Sequence, residues 1–398
     1  MTKRLYYADS YLKEFSATVL HQLQIENSPA VILDQTAFYP ESGGQLCDTG
    51  FLGESRVLKV VENDAGDVLH ILEREIPVGE VVGRINWGQR FDHMQQHTAQ
   101  HILSQAFLAV AQAQTLSFHM GQESSTIDIG MAQPSATLIE EAQTRASGIV
   151  FENRPVRILT TDRESLTSLG VRKESNREGE IRVIDVEGFD RSACGGTHVR
   201  STGEIGLIFV ANFERYKGGT RVEFVGGSRA LNALHKDHEL LRRIGRVYSA
   251  APDNIPEIAE KTLQERMTLS KENENLRDQL LDMEAEKLFG NSVKTRYAST
   301  IHAVYAGRSL ESLKVLARKL TARPGTLAIL ALSDACQIVV ARSNDLPGNC
   351  NDAVKLATSQ FGGKGGGRPD LAQAGGFGAD SLDSWQQALE DFFLVIES

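Results

Sequence analysis

Short apolar runs separated by turn-forming residues dominate the first 89 positions of the chain. The clearest runs lie at positions 30–33, 57–61 and 68–72, are rich in valine, isoleucine and leucine, and are separated by Gly, Asn and Asp. Runs of this length and composition are typical of β-strands joined by turns. We therefore predict that residues 1–89 form a small antiparallel β-barrel.

Helices and strands are mixed in the next stretch. A long helix is predicted over residues 91–113, and a second helix near 136–153. The strand-like stretches between and after them are 115–129, 156–159, 181–186, 205–211 and 220–225. An order of this kind is typical of an α+β fold. We assign residues 90–228 to one α+β domain.

Beyond position 228 the pattern becomes helical, with helices predicted at 231–248 and 255–289. In the second helix the apolar positions that step by seven, four and three are Leu269, Leu276, Leu280 and Met283. Asn273 occupies the position that completes the heptad. This spacing predicts a coiled coil, whose partner is either the 231–248 helix or a second subunit. Residues 229–290 are thus a predicted helical coiled-coil linker.

The last hundred residues alternate strands with helices and predict a C-terminal α/β domain over 291–398. A glycine-dense run, Phe361-Gly-Gly-Lys-Gly-Gly-Gly-Arg-Pro369, falls inside it. We predict a Gly-rich loop there, because glycines permit close backbone approach to a phosphate and Lys364 and Arg368 add positive charge. A merely flexible loop is the alternative.

Composition narrows the class of protein. The chain has 398 residues, of which 41% are hydrophobic and 24% charged, as expected for a globular protein. Four cysteines in this length do not make a disulfide framework, and no apolar stretch approaches a membrane span, so we expect a soluble, cytoplasmic protein without membrane contact. The formal net charge of -10 argues against non-specific nucleic-acid binding.

One local basic region stands out against that acidic balance. Between positions 290 and 323 a single acid, Glu311, accompanies the basic residues Lys294, Arg296, Arg308, Lys314, Arg318, Lys319 and Arg323. A solvated helix face and a phosphate-binding face are both consistent with this region.

Two residue pairs carry candidate metal chemistry. His97 and His101 lie four residues apart on the predicted helix, so both imidazoles share one face and can reach one ion. Cys194 and His198 have the same spacing but flank glycines. Three imidazoles and one thiolate suit tetrahedral zinc, a borderline-soft ion that takes nitrogen and sulfur ligands. We predict that these four residues bind zinc.

A second cluster of candidates lies in the predicted barrel. The run from Thr36 to Gln45 contains Pro40 and the glycine pair Gly43 and Gly44, which interrupt any strand and predict a shaped loop. Its hydroxyl, carboxamide and backbone amides could line a pocket for a polar substrate, although a hairpin connection would explain the same residues.

These motifs together resemble a known family. The run 36–45, the sequence His97-Thr-Ala-Gln-His101, and the block from Asp185 to Cys194-Gly-Gly-Thr-His198 are similar to the editing domain of alanyl-tRNA synthetase. The C-terminal region resembles that synthetase's DHH-associated domain. Since the sequence begins near the editing barrel, we expect a protein without the aminoacylation domain of the synthetase. The chain is therefore identified as a member of the free-standing alanyl-tRNA editing proteins (AlaX), in their long form.

The resemblance implies an enzyme, an aminoacyl-tRNA deacylase that hydrolyses mischarged tRNA(Ala), chiefly seryl-tRNA(Ala) and also glycyl-tRNA(Ala). It implies that His97, His101, Cys194 and His198 hold zinc and that Thr36 reads the hydroxyl of serine. The further residues expected at the substrate are Gln45 and His119 as catalytic candidates and Gly43, Gly44, Asp92, Lys314, Arg318, Lys319, Lys364 and Arg368 as binding candidates. For Asp92 and His119 a core or capping role is an equal alternative.

Other questions stay open at this point. The zinc either activates water or only anchors the pocket, since four protein ligands describe a closed site. Two other functions compete, namely a zinc-dependent hydrolase of a small ester or amide and a non-enzymatic tRNA-binding protein with structural zinc. We also expect a homodimer, through either the 255–289 helix or the C-terminal domain.

Overall fold

The computed structural model describes residues 2–172, 179–295 and 298–395. They form two compact units, Met1–Val247 and Tyr248–Ser398. The fold is a mixed α+β one, as predicted, with a closed six-stranded barrel at the N-terminus. The finer division into four segments stays a prediction.

The first unit begins with the predicted barrel. Its strands, in chain order, are β1 (Lys3–Arg4), β2 (Glu14–Ile25), β3 (Ser28–Leu33), β4 (Gln35–Thr36), β5 (Gly50–Leu52), β6 (Ser55–Glu62), β7 (Val68–Leu72) and β8 (Gly79–Ile85). The barrel closes in the order β2-β3-β7-β6-β5-β8, and β1 pairs in parallel with β4 outside it. Side chains alternate along β7, so Val68, His70 and Leu72 are buried. A histidine therefore occupies an interior position of the barrel.

The rest of the first unit packs around one long helix. Its elements are α1 (Trp87–Ala111), β9 (Thr115–Met120), β10 (Ser125–Ile129), α2 (Ala136–Phe151), β11 (Val156–Thr161), α3 (Arg163–Ser168), β12 (Ile181–Val186), β13 (Asp190–Ala193), β14 (Ile208–Tyr216), β15 (Gly219–Gly226) and α4 (Gly227–Tyr248). One sheet has the order β14-β15-β10-β9 and another β11-β12-β13. The Asn86 side chain caps α1 by accepting a hydrogen bond from the amide of Gln89. Ile102, Leu103 and Phe107 of α1 are fully buried in the core of this unit.

The prediction of a strand at 205–211 is wrong at its start. Residues Thr202–Ile205 form a 3-10 turn, which Ser201 and Glu204 stabilise as a capping box. The strand begins only at Ile208, and it continues to Tyr216, which pairs with Gly219. Lys217 and Gly218 have φ angles of 45° and 84°, as a tight hairpin turn requires.

The second unit begins with the long helix and ends in an α/β domain. Its elements are α5 (Ile255–Gly290), β16 (Val293–Lys294), β17 (Ser299–Tyr305), α6 (Leu310–Thr321), β18 (Thr326–Leu332), β19 (Gln337–Arg342), α7 (Cys350–Phe361), β20 (Lys364–Gly367), β21 (Leu371–Gly375) and α8 (Leu382–Val395). The strands form one sheet in the order β16-β17-β18-β19-β21-β20. All seven residues of β18 are buried, since α6 packs on one face of the sheet and α7 and α8 on the other.

The Gly-rich run is not the predicted loop. Lys364–Gly367 form β20, an edge strand that pairs antiparallel with β21. Gly365 and Gly367 are required there because a Cβ at either position would lie 2.6 Å or less from a backbone oxygen of β21. The glycines therefore serve close strand packing, and the predicted phosphate contact of this run has no support in its conformation.

The predicted coiled-coil positions are exposed in this chain. Leu269, Leu276, Leu280 and Met283 have 51% to 70% of their surface accessible. Exposure of this kind on one face of a helix is consistent with a partner helix, and that partner stays a prediction. None of the helices in the part of the chain that the structure describes is long and apolar enough to span a bilayer.

Candidate metal centre and active site

Helix α1 carries the first two residues of the predicted metal site. His97 and His101 are one turn apart and both point into the protein, with exposures of 3% each. Their ring centroids lie 5.3 Å apart, because residues i and i+4 of a helix share a face. The predicted helical spacing therefore does bring the two imidazoles together.

The loop after β13 brings the other two ligands to the same place. Sγ of Cys194 lies 3.4 Å from Nε2 of His97 and 3.4 Å from Nε2 of His198. The ligand atoms of all four residues, His101 included, lie within 4.8 Å of one another. This cluster could hold a metal ion.

Gly196 makes the close approach possible. A Cβ built on this residue would lie 2.2 Å from Cε1 of His97 and 2.8 Å from Oε1 of Gln45. Any other side chain would therefore collide with the imidazole. Gly195 differs, since a Cβ there would meet the hydroxyl of Tyr7 at an ordinary 3.5 Å.

Each imidazole is held through Nδ1, which leaves Nε2 directed to the cluster. The Nδ1 contacts are His97 to Oε1 of Gln45 at 2.7 Å, His101 to Oδ2 of Asp190 at 3.0 Å, and His198 to Oγ1 of Thr98 at 3.1 Å. Thr98 donates its own proton to the carbonyl of Met94, so its hydroxyl oxygen accepts from His198. Metal-binding histidines typically show this arrangement, because the outer partner fixes the tautomer and the ring orientation.

Electrostatics favour the ligand forms of these groups. Burial raises the pKa of the Cys194 thiol, but the neighbouring His101 and the Arg182 guanidinium outweigh that effect, and the pKa lies below its ordinary value. Burial also lowers the pKa of His198 well below its ordinary value, and the two other histidines lower it further. Burial opposes ionisation of Asp190, but His101 and Arg172 lower its pKa to about 2. A thiolate, a neutral imidazole and a carboxylate result.

A cavity of about 250 Å³ opens beside the cluster. His97, His101 and Cys194 form part of its wall. The remaining wall includes the aromatic residues Tyr6, Tyr7, Tyr39 and Phe118, the cations Arg4, Arg172 and Arg182, and the acids Glu62 and Glu180. A space of this size and mixed polarity suits a small polar group rather than a large apolar ligand.

Only some of the predicted substrate residues line this cavity. Gly43 does, whereas the residues of the same unit that do not are Thr36, Gly44, Gln45, Asp92 and His119. Gly44 packs against the backbone of Phe118 and has a φ of +85°, which favours glycine. A Cβ at this position would lie 2.5 Å from the carbonyl oxygen of Phe118. Gly44 lets the loop lie against β9.

Thr36 is enclosed within the barrel, with no exposed surface. Its Oγ1 lies 2.8 Å from Nε2 of His70 and accepts a hydrogen bond from the amide of Phe38 at 3.1 Å. His70 is also fully buried, and burial lowers its pKa to about 4, so the imidazole is neutral near pH 7. The structure thus gives Thr36 partners of its own, and its contact with a serine hydroxyl stays a prediction.

The structure gives Gln45 two roles in the ligand loop. Its Oε1 accepts from the amide of Thr197 at 3.0 Å as well as contacting His97, and its Nε2 donates to the hydroxyl of Thr197 at 2.8 Å. Gln45 is fully buried. It therefore joins the barrel loop to both metal-binding segments, which is a positioning role.

Asp92 and His119 lie away from the cluster. Asp92 forms a bidentate ion pair with Arg229, with its Oδ2 2.7 Å from Nη2. His119 is exposed on β9, where alternation directs it to the face opposite Phe118, whose ring stacks on His97 at 5.3 Å. The ion pair supports the alternative that Asp92 has a structural role. The catalytic role of His119 stays a prediction.

The predicted basic region is largely ion-paired within the second unit. Nζ of Lys319 lies 2.8 Å from Asp278 and 2.7 Å from Asp282, both on α5. The other pairs are Lys314 with Glu311, Arg308 with Glu284 and Arg323 with Glu286. Arg318 is exposed and has no ion pair among the described residues, and Arg296 lies outside them. Lys364 is exposed on β20, and Arg368 lies 3.5 Å from Asp370.

Several residues of the centre were missed from the sequence. They are Thr98, Arg172, Arg182 and Asp190. Asp190 precedes the Cys-Gly-Gly-Thr-His motif by four residues and Thr98 lies within the helical pair, so proximity was an available signal for both. Nothing in the local sequence around Arg172 or Arg182 indicates their contacts.

Three models of known protein families match separate parts of the chain. The family model "Threonyl and Alanyl tRNA synthetase second additional domain" matches residues 181–223, which contain Cys194 and His198. The model "tRNA synthetases class II (A)" matches residues 7–87, and the DHHA1 domain matches residues 298–394. The alanine–tRNA ligases of Pyrococcus furiosus and Thermococcus kodakarensis are 34% and 33% identical to this chain over 391 residues. The chain spans only 42% and 41% of the length of those two ligases.

A shorter relative matches from end to end. The alanyl-tRNA editing protein AlaX-L of Pyrococcus horikoshii is 30% identical over 386 residues, which are 94% of each chain. The chain belongs to the AlaX family of alanyl-tRNA editing proteins. The resemblance found in the sequence is thereby confirmed, including the DHH-associated domain of the long AlaX form. Among solved structures, the C-Ala domain of Aquifex aeolicus alanyl-tRNA synthetase reaches a TM-score of 0.24 at 23% identity, over 26% of this chain and 96% of that one, which is too low to support an argument.

Proposed function

We propose that this protein is an aminoacyl-tRNA deacylase, which hydrolyses the ester bond of mischarged tRNA(Ala), chiefly seryl-tRNA(Ala) and secondly glycyl-tRNA(Ala). The observation that carries the proposal is the cluster of His97, His101 and Cys194 in the wall of a cavity of about 250 Å³. Family membership supports it, because the P. horikoshii relative is named as an alanyl-tRNA editing protein.

The ion that best fits the cluster is zinc. Its bonds of about 2.0 Å to nitrogen and 2.3 Å to sulfur place the N and S atoms of a tetrahedral site roughly 3.5 Å apart. Sγ of Cys194 lies at 3.4 Å from two of the imidazole nitrogens, and a donor set of three nitrogens and one thiolate is a zinc set. When bound, zinc with four protein ligands would cross-link α1 to the ligand loop and fix this wall of the pocket.

The protein's own residues then supply positioning. An aminoacyl ester is already reactive, so holding it against a water molecule and stabilising the developing oxyanion are sufficient without a strong base. The cavity wall provides fixed donors, among them the cations Arg4, Arg172 and Arg182. The small volume admits the aminoacyl group, and the single-stranded end of a tRNA is flexible enough to deliver it.

Selectivity follows from hydrogen bonding. A pocket that fits alanine cannot strongly reject an isostere with one added hydroxyl, whereas a second site that hydrogen-bonds the hydroxyl can select it. Thr36 remains our candidate for this contact, and it would have to exchange its partner His70 for the substrate. Such an exchange is open to a hydroxyl, which can both donate and accept.

The second unit would contact the tRNA elsewhere, through its phosphates. Arg318 is the candidate with most support, since it is exposed on α6 and not ion-paired among the described residues. Lys314, Lys364 and Arg368 are further candidates, whereas the ammonium group of Lys319 is already paired with Asp278 and Asp282. Contacts of this kind position a nucleic acid without reading its sequence.

The proposal is tested by incubating the protein with seryl-, glycyl- and alanyl-tRNA(Ala) and following loss of the acylated form. We expect seryl-tRNA(Ala) to be lost fastest and alanyl-tRNA(Ala) to be spared. Cys194→Ala should abolish hydrolysis, while the matched variant Cys47→Ala, which alters a cysteine outside the cluster, should retain it. Equal hydrolysis of all three substrates, or of none, would overturn the proposal.

A further inference from the structure

Arg182 on β12 is fixed by the backbone of the metal-ligand loop. Its Nη1 donates to the carbonyls of Cys194 and Gly196, each at 2.8 Å. Its Nε donates to the carbonyl of Tyr7 at 3.2 Å. Three hydrogen bonds hold the planar guanidinium in one orientation. These three carbonyls therefore fix the direction in which the remaining nitrogen of the guanidinium points.

The second terminal nitrogen of this guanidinium has no such partner. Nη2 of Arg182 is buried and makes no hydrogen bond to any residue that the structure describes. No carboxylate among those residues forms an ion pair with Arg182 either. Buried donors of charged groups are nearly always satisfied, so an unsatisfied one calls for an explanation.

The surroundings of Arg182 indicate what the missing partner is. The side chain lines the cavity together with His97, Cys194 and Tyr39. The guanidinium carbon lies 5.7 Å from the centroid of the Tyr7 ring, which lines the same cavity. Tyr6 lines the same cavity, and its buried Oη makes no hydrogen bond to the residues that the structure describes. Two donors without acceptors in one cavity wall suit a ligand that supplies acceptor oxygens.

Among the acceptors of an aminoacyl-tRNA end, the phosphates carry negative charge and the acyl carbonyl develops it during hydrolysis, so these two are the acceptors that best match a guanidinium donor. A phosphate group is bulky, carries several oxygens and is best bound by exposed guanidinium forks. Nη2 of Arg182 is instead enclosed, next to the carbonyls of the loop that presents Cys194. A single carbonyl oxygen fits such a donor better than a phosphate does.

We propose that Arg182 donates from Nη2 to the carbonyl oxygen of the scissile aminoacyl ester and stabilises the oxyanion that forms there. The inference rests on the proposed deacylase function and names a group that touches the reacting atoms. Arg182 is then a catalytic residue of this site, and the metal-ligand loop serves as its support.

The proposed reaction is attack of water on the ester carbonyl followed by loss of the ribose oxygen. The oxygen of a water molecule forms a bond to the ester carbon, and the π electron pair of the carbonyl moves onto its oxygen, where the guanidinium faces it. The carbonyl re-forms as the bond to the ribose oxygen breaks. The leaving ribose oxygen takes up the proton that the water loses, so the products are the free amino acid and a tRNA with its terminal hydroxyl.

The test compares Arg182→Gln and Arg182→Lys with a matched control, Arg191→Gln. Arg191 lies on the neighbouring strand β13 and pairs with Asp185, outside the cavity. Three quantities are measured for each full-length protein: bound zinc, kcat and KM for seryl-tRNA(Ala), and affinity for a non-hydrolysable seryl-adenosine amide relative to adenosine. The amide keeps the acyl carbonyl, which adenosine lacks.

We expect Arg182→Gln to lower kcat about 100- to 1,000-fold, as loss of an oxyanion donor does. KM and bound zinc should change little, and the preference for the amide over adenosine should fall. Arg182→Lys, which keeps a cationic donor, should recover part of both losses. The control should match the wild type in all three measurements.

Three results would overturn the inference. Loss of zinc in both Arg182 variants would make the residue a mere support for the loop. A raised KM with weaker salt dependence and an unchanged kcat would indicate a phosphate contact. An unchanged preference for the amide would remove the carbonyl contact. If wild type instead binds the amide through Arg182 yet hydrolyses no aminoacyl-tRNA, the proposed function fails while the carbonyl contact stands.

Discussion

Oε1 of Gln45 lies 2.7 Å from Nδ1 of His97, and this contact joins the barrel loop to the helix that carries two of the four proposed metal ligands. The same oxygen accepts the amide of Thr197, one residue before the ligand His198. A single carboxamide therefore positions both ligand segments. Gln45, which was predicted as a catalytic candidate, thus contacts both segments of the proposed metal site.

Removal of this carboxamide should weaken metal binding. We expect Gln45→Ala to lower zinc affinity about 10- to 100-fold, because outer partners of ligand histidines have effects of that size. The measurement is competition with a chromophoric chelator. Gln35→Ala is the matched control, since Gln35 makes one exposed hydrogen bond to the carbonyl of Ser16. Unchanged zinc affinity together with lost deacylation would contradict this role and would indicate that Gln45 acts on the substrate.

Contacts between residues could be predicted from the sequence where the spacing within one helix or loop determines them. Residues four apart on a helix must share a face, so His97 and His101 could be predicted as a pair, and the glycines beside Cys194 indicated a close approach. The strands of the barrel were predictable from their apolar runs because their core positions alternate.

Contacts between distant elements were not predictable in this way. Asp190 reaches His101 only because β12 and β13 return the chain to helix α1. Lys319 is neutralised by Asp278 and Asp282 only because the end of α5 packs on α6. The Gly-rich run was predicted as a loop because glycine is common in loops. Glycine density also occurs in strands whose neighbours approach closely, and the sequence does not distinguish the two cases.

The buried pair of Thr36 and His70 should make the stability of the barrel depend on pH. Burial lowers the pKa of His70 from 6.5 to about 4, so the unfolded chain binds the proton more readily than the folded one. The stabilisation is thus fully present above pH 6.5 and is lost as pH falls toward 4, by about 3 kcal/mol. His70→Gln should remove this loss.

Hydrogen exchange of peptides from β3 and β7, measured against urea concentration at pH 4 to 7, would follow the barrel alone. His21→Gln, which changes an exposed histidine of β2, should keep the slope of the wild type. A slope in His70→Gln equal to that of the wild type would show that folding does not lower the pKa of His70, which would contradict the prediction.

Arg318 and Lys319 are neighbours on α6 with opposite expectations for tRNA binding. Arg318→Ala should weaken binding and reduce the slope of log affinity against log salt by about 1, because one phosphate contact is lost. Lys319→Ala should change neither quantity much, since two aspartates already neutralise that ammonium group. A salt titration of tRNA affinity measures both. If Lys319→Ala has the larger effect, the ion pairs must open on binding, and the first prediction fails.

The two glycines of the Cys-Gly-Gly-Thr-His motif should differ sharply in their tolerance of a methyl group. In Gly196→Ala the new Cβ would lie 2.2 Å from Cε1 of His97, so the imidazole must leave its place and with it Oε1 of Gln45. We expect zinc affinity to fall at least as far as in Gln45→Ala, and deacylation to fall with it.

Gly195→Ala is the matched control one residue earlier, where the new Cβ meets only the Tyr7 hydroxyl at 3.5 Å. Its φ is not in the left-handed region, so alanine adopts the backbone conformation without strain. Zinc affinity should therefore stay near that of the wild type, which chelator competition on both variants would measure. Equal losses in the two variants would mean that the loop requires glycine for flexibility, because steric contact with His97 distinguishes the two positions.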